Sequence, residues 1–284
     1  MNRDQILELK RTALEIRKDV VRMVGLSRTS NLGSSLSVVD ILTVLYFYRL
    51  SVKPQDSKWP ERDRLVVGKS DVAPALYAIL ARKGFFEREE LWSYRRLGAM
   101  LQGTLDPRRT AGVEAPGSGP GIGLGIANGI AAACRMDHLP ARVFCFVGND
   151  ELHQGSIWES AQSASKLRLG RLTAVAEVHE QGLQGSGVEA MLPEAVAERF
   201  EAFGWETVIC DGHRIEALAD SFSQSAPAEG RPRAVIAKTR WGKGVASLEN
   251  GNWQAFELPN RERVESALLD LEKNGRRLLE EMER

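Results

Sequence analysis

The run Val143-Phe144-Cys145-Phe146-Val147, followed by the polar turn Gly148-Asn149-Asp150-Glu151 and a helical pattern from Ile157, constrains the fold more than any other stretch. A short β-branched and aromatic run describes a buried strand, and a strand, turn and helix in that order put the turn at the carboxyl edge of a parallel sheet. Open α/β proteins hold their ligands at that edge. Asn149, Asp150 and Glu151 offer oxygen to a hard cation such as Mg²⁺, which takes one or two carboxylates and completes its shell with phosphate oxygens. The same residues also suit a plain turn that caps the next helix.

The pattern recurs. Asp63 to Gly68 reads as a charged turn feeding a short buried strand, with a helix over Lys69 to Leu80 in which Pro74 is tolerated in the first turn. Leu172 to Val178 is a strand ending in His179-Glu180-Gln181, about 30 residues after the first polar edge, a spacing that one βαβ step brings together. Strands over Glu206–Cys210 and Ala234–Lys238 end in Asp211-Gly212-His213 and Thr239 to Val245. Helices are expected over Ile157–Leu169, Leu192–Phe203 and Ile215–Phe222. The expected class is α/β, a mainly parallel sheet flanked by helices, as one domain over residues 1–284 with a long helix at 2–27 and another at about 260–284.

Two stretches before the central strand are less regular. Ser27 to Ser37 reads as a small-residue loop leading to a helix over Val38–Tyr48, and residues 91–113 as a helix followed by a long loop. The run from Gly117 to Ala133 holds six glycines and then turns Ala-rich and helical. Glycines at its front, Gly119 and Gly121 among them, let backbone approach a phosphate at a helix amino end; those further in permit close helix packing.

Composition closes off several functions. Lys and Arg number 38, balancing 38 Asp and Glu, and no dense basic face stands out, so a nucleic-acid partner is not expected. No apolar run is long enough to cross a bilayer, the amino terminus does not read as a signal peptide, and a cytoplasmic protein is expected. Cys134, Cys145 and Cys210 lie far apart in apolar surroundings and read as buried thiols.

Taken in order, these motifs resemble the amino-terminal, diphosphate-binding half of transketolases, and most of all the separately encoded N-terminal subunits of two-component transketolases. Ser30 to Leu42 resembles the family pattern Gly-His-x-Gly-x-Ser-Leu-Ser-x-x-Asp-Ile-Leu, and Asp63 to Asp71 resembles Asp-Arg-Phe-x-x-Ser-Lys-Gly-His. Gln154 to Ala161, Phe203-Gly204-Trp205, Asp211-Gly212-His213 and Gly242 to Val245 also match. The resemblance implies a domain that binds thiamine diphosphate through Mg²⁺, a partner chain carrying the pyrimidine-binding domain, dimers of such pairs, and a small-molecule substrate. Gly119, Gly121, Gly148, Asn149, Asp150, Glu151, His179 and Gln181 are the implied cofactor-binding positions, and His213 is implied to be structural.

Departures from the family fall on the chemistry. The family's metal sits on the Asp of Gly-Asp-Gly and the Asn of Asp-x-Asn. Here those positions read Gly148-Asn149-Asp150 and either Glu177-Val178-His179 or, with two residues inserted, His179-Glu180-Gln181. The candidate metal ligands are therefore Asn149, Asp150, His179 and Gln181. Left unpaired, Asp150 and a diphosphate repel by roughly a few kcal/mol at an effective dielectric of about 20. Asn31, Asp71 and Gln254 stand at active-site positions where the family has His, and an amide cannot shuttle protons as imidazole does. Two functions follow: a thiamine-diphosphate-dependent transferase of a two-carbon ketol or acyl unit with altered specificity, or a non-catalytic subunit that keeps the fold. A nucleotide-binding dehydrogenase is excluded, because the glycine run lacks the dinucleotide fingerprint.

Overall fold

A computed structural model describes residues 1–117, 119–179, 191–223, 229–251 and 257–283. In chain order its elements are α1 (Arg3–Ser27), α2 (Leu32–Ser37), α3 (Val39–Val44), β1 (Arg64–Val67), α4 (Ala73–Lys83), α5 (Gly123–Met136), β2 (Val143–Val147), α6 (Gly155–Lys166) and β3 (Leu172–His179). They continue with α7 (Pro193–Ala202), β4 (Glu206–Asp211), α8 (Ile215–Ser223), β5 (Arg233–Thr239), α9 (Ala246–Glu249) and α10 (Arg261–Glu283). The strands form one sheet in the order β1-β2-β3-β5-β4, and every neighbouring pair is parallel. All five carboxyl ends therefore reach one edge.

Alternation along the strands builds two cores. Phe144 and Phe146 of β2 pack with α1 to α4, α8 and α10, whereas Val143, Cys145 and Val147 pack with α5, α6 and α7. Burying a Val, Leu or Phe side chain is worth about 1.5–3 kcal/mol, so a strand buried along its whole length commits the sheet to cover on both faces. Helix α1 starts from a capping box between Asn2 and Gln5 and ends at Arg28, whose φ of 52° turns the chain. All three cysteines are free and buried. Among the described residues no helix is long and apolar enough to cross a membrane.

Three local expectations need correction. The Ser27–Ser37 stretch holds α2: Leu32 and Leu36, one turn apart, are buried in the core, which gives this short segment a helical face to cover. The helix expected at Val38–Tyr48 stops at Val44 and passes into a π turn over Leu45–Arg49. Residues 91–113 contain no α-helix; a 3₁₀ turn at Arg88–Ser93 gives way to irregular chain with left-handed Arg95 (φ 62°) and Gly98 (φ 79°).

Candidate functional site

The site is built where β1, β2, β3 and β5 end. After β1 the chain runs through Gly68 to Lys69 and Asp71. A Cβ on Gly68 would lie 2.9 Å from Gly123 Cα, so only glycine lets the amino end of α5 close onto this strand. After β2, Asn149 to His153 forms a 3₁₀ turn in which Asn149 and Glu151 are buried.

Glu151 joins the glycine loop to this turn. One of its oxygens accepts from Gly121 N (2.9 Å) and the other from Gly148 N (2.8 Å). Burial pushes its carboxyl above the usual range, against the pull of these two N–H donors. Gly121 has a φ of 88° and room for no side chain, since a Cβ would run into Ser156 Oγ. Gly119 is exposed, and a Cβ there would meet nothing within 4 Å.

Asn149 reaches across to β3, where its Oδ1 accepts from the backbone N of His179 (3.2 Å). The ring of His179 is engaged on β5: Nδ1 lies 3.0 Å from Thr239 Oγ1, and Nε2 lies 3.7 Å from Glu177 Oε1. Fully buried Glu177 accepts from Ser37 Oγ (2.5 Å) and Thr239 Oγ1 (3.3 Å) through Oε1. Glu177 and His179 therefore close β3 beside Asn149. Gln181 and Gln254 lie outside the described residues.

Lys69 stands in the middle. Its Nζ is 3.1 Å from Asp71 Oδ2 and 3.5 Å from Asp150 Oδ2, and its stem lies against Gly148, where a Cβ would come within 2.5 Å of Lys69 Cδ. Burial would lower the ammonium's pKa, but Asp71, Glu177 and Asp150 outweigh it and hold the pKa above the usual lysine range. One cation serves three carboxylates. Asp71 Oδ1, Asp150 Oδ1 and Glu177 Oε2 are all buried without a hydrogen-bond partner among the described residues. Asn31 precedes α2, and its side chain makes no capping bond.

Lys69, Glu177, Ser37 and Thr239 were not singled out from the sequence. Lys69 lies inside the Ser-Lys-Gly-His match and Glu177 opens the Asp-x-Asn match, so both were marked by motif, though not by role. Ser37 lies inside the Ser-Leu-Ser match, again without a role, and Thr239 gave no local signal; both matter because they meet Glu177 across 140 and 62 residues of chain.

A short strand, a glycine-cradled edge, free buried carboxylate oxygens and the N-terminus of a long helix together suit a cation with an anion. The model of the transketolase thiamine diphosphate binding domain matches residues 9–259. The 6-deoxy-6-sulfo-D-fructose transketolase subunit SqwG of a Clostridium species is 35% identical over 96% of this chain and 99% of its own length. The chain belongs to the transketolase family. Human transketolase is 34% identical over 91% of this chain but only 41% of its own length. The transketolase structure from Campylobacter jejuni superposes with a TM-score of 0.81 at 25% identity, covering 95% of this chain and 43% of that one. This transketolase-family chain thus spans nearly all of one separately encoded subunit and less than half of these full-length enzymes.

Proposed function

We propose that this chain is the N-terminal subunit of a two-component transketolase-like enzyme, transferring a two-carbon ketol or acyl unit with thiamine diphosphate and Mg²⁺. The observation that carries this reading is Asp150: its carboxylate stands one residue beyond the position where the family's metal-binding Asp belongs, and its Oδ1 is buried without a hydrogen-bond partner among the described residues. A buried carboxylate oxygen without a partner costs free energy, which a bound cation would recover.

The donor set fits a magnesium ion shared with a diphosphate. Asp150 and the amide of Asn149 supply oxygen, and phosphate oxygens would complete the shell. Among the described residues no three His, Cys, Asp or Glu side chains form a self-contained metal cage. The ring of His179, held by Thr239 and facing Glu177, acts here as a wall rather than a ligand.

Bound thiamine diphosphate supplies a nucleophilic thiazolium carbon for attack on a substrate carbonyl. The chain's own residues bind and orient. Gly119, Gly121 and the amino end of α5 receive the diphosphate, and Glu151 fixes that loop against the metal turn. Asn31 and Asp71 replace the imidazoles of the family; the amide of Asn31 cannot titrate, so the substrate is one whose transfer does not rely on proton shuttling at that position. A partner chain with a pyrimidine-binding domain completes the site, in dimers of such pairs. Gln254 and Gln181 are proposed to lie near the substrate and the metal, respectively.

A second reading has its own observation. The Lys69 ammonium, 3.5 Å from Asp150, already sits beside the carboxylate as an internal cation, which suits a subunit that keeps the fold without metal. Calorimetric titration of the purified chain, alone and with a co-encoded partner, with thiamine diphosphate and Mg²⁺ separates the two. Binding is expected for the enzyme; none in either state overturns it. Asp150→Ala is expected to abolish binding, and Asn149→Ala to weaken it less. The reverse order would overturn the role given to Asp150.

A further inference from the structure

The end of α1 and the start of α10 meet over a groove that the candidate site does not use. It begins at Gly25: a Cβ there would lie 2.8 Å from Val264 Cγ2, so glycine is what lets α10 settle this close to α1. Beside that contact the chain leaves apolar surface open to solvent. Leu26 is 60% exposed, and Trp92 and Val264 are half-buried, around a hollow of about 450 Å³. A volume in that range, with an apolar lining and a few convergent charged groups, suits a small organic molecule.

Charge selects the kind of molecule. Three guanidiniums line the groove, those of Arg22, Arg28 and Arg261, against one carboxylate, that of Glu265. Glu265 is already engaged by Arg261 (2.8 Å). Arg22 comes only to 3.9 Å from Asp19, a carboxylate that Arg82 and Arg88 also share. The side chain of Arg28 makes no hydrogen bond or ion pair among the described residues. Its backbone is held in the left-handed turn (φ 52°) that ends α1, which fixes the direction in which the side chain leaves. A cation would be repelled here, and a wholly polar solute would leave the apolar lining without a partner. We propose that this groove binds an organic anion with an apolar body, an aromatic or medium-chain carboxylate or sulfonate. Its hydrocarbon part lies against Leu26, Trp92 and Val264, and its charged end pairs with Arg28 and Arg22, whose planar forks match such oxygens.

Thiamine diphosphate and Mg²⁺ are left out of the test, so its result is independent of the function proposed above. The probe is anilinonaphthalenesulfonate, an aromatic sulfonate, followed by its fluorescence with the purified full chain. Saturable binding of one probe per chain is expected, with release by octanoate but not by octylammonium, which has the same tail and the opposite charge. Arg28→Asn removes the charge while suiting the left-handed backbone, and is expected to raise the dissociation constant of the probe at least ~10-fold. Arg28→Lys should raise it less, since it keeps the charge and loses only the fork. Leu26→Asp should abolish binding. Both positions are exposed, so the thermal midpoints of these variants should match the wild type, which separates lost binding from lost folding. Energy transfer from tryptophan to the bound probe should fall in Trp92→Phe. Absence of saturable binding, release by octylammonium as readily as by octanoate, or unchanged affinity in either Arg28→Asn or Leu26→Asp overturns the proposal.

Discussion

Two groups of buried charge lie on the same side of the sheet edge, and they are finished differently. Around Asp40 every polar atom is answered: Arg17 donates to both carboxylate oxygens (2.9 and 2.6 Å), and His213 Nδ1 lies 2.9 Å from Oδ2. The backbone N of Arg240 donates to His213 Nε2 (2.8 Å), so it is Nδ1 that carries the hydrogen toward Asp40. Around Lys69, the ammonium pairs with Asp71 and Asp150 and feels Glu177 nearby, and each of the three carboxylates has a buried oxygen without a hydrogen-bond partner among the described residues. The first group is closed and serves the fold, tying α1 and α3 to the loops after β4 and β5. The second is open: each carboxylate keeps a buried oxygen without a hydrogen-bond partner among the described residues, which suits the cation proposed above.

The contrast breaks most visibly at Asp40. Asp40→Ala strands the buried guanidinium of Arg17 and should cost about 3–5 kcal/mol of stability, measured by urea unfolding. A loss under about 1 kcal/mol would make the network incidental. Acid should attack the same group. Burial alone would raise the Asp40 carboxyl, but Arg17 and His213 outweigh it and hold it well below the usual range. A carboxyl depressed in the folded state contributes its stability above the unfolded value of about 3.9 and loses it as pH falls through the folded value. Unfolding free energy followed downward from pH 5 should therefore drop below about pH 4 in the wild type. That component of the slope should be missing in Asp40→Asn.

At the open group the effects should fall on binding and not on folding. Asp150→Ala should leave the unfolding free energy within about 1 kcal/mol of wild type, since the residue is half-exposed and shares Lys69 with Asp71. If Asp150→Ala destabilises as much as Asp40→Ala, the two groups are alike and the distinction fails. The smallest change is expected from Asp71→Asn, which removes a charge whose Oδ1 has no hydrogen-bond partner among the described residues and should alter stability by less than about 1 kcal/mol. A clear gain in stability there would sharpen the contrast, by showing that the charge is kept at the fold's expense.

Much of the architecture was legible in the residues themselves. Val143 to Val147 is a strand because five consecutive apolar side chains need cover on both faces, and Gly148 to Glu151 is at the carboxyl edge because a helix follows. Residues 91–113 misled in their first part only: a mixed composition with no clean period left room for a helix before the long loop, and Arg95 and Gly98 turn left-handed instead. In the site, motif order marked Asn149, Asp150 and His179 together, and the structure joins Asn149 to His179 through side chain and backbone.

The sequence by itself determined the strand and helix succession, the polar edge and the family, because hydrophobic runs, glycine turns and motif spacing are local properties of the chain. Only the tertiary structure decided which charges are closed and which are open. Asp40 finds His213 across 173 residues, and Glu177 finds Ser37 across 140. Whether a buried carboxylate oxygen is satisfied depends on donors delivered by several strands at once, and no periodicity or spacing within one stretch carries that information.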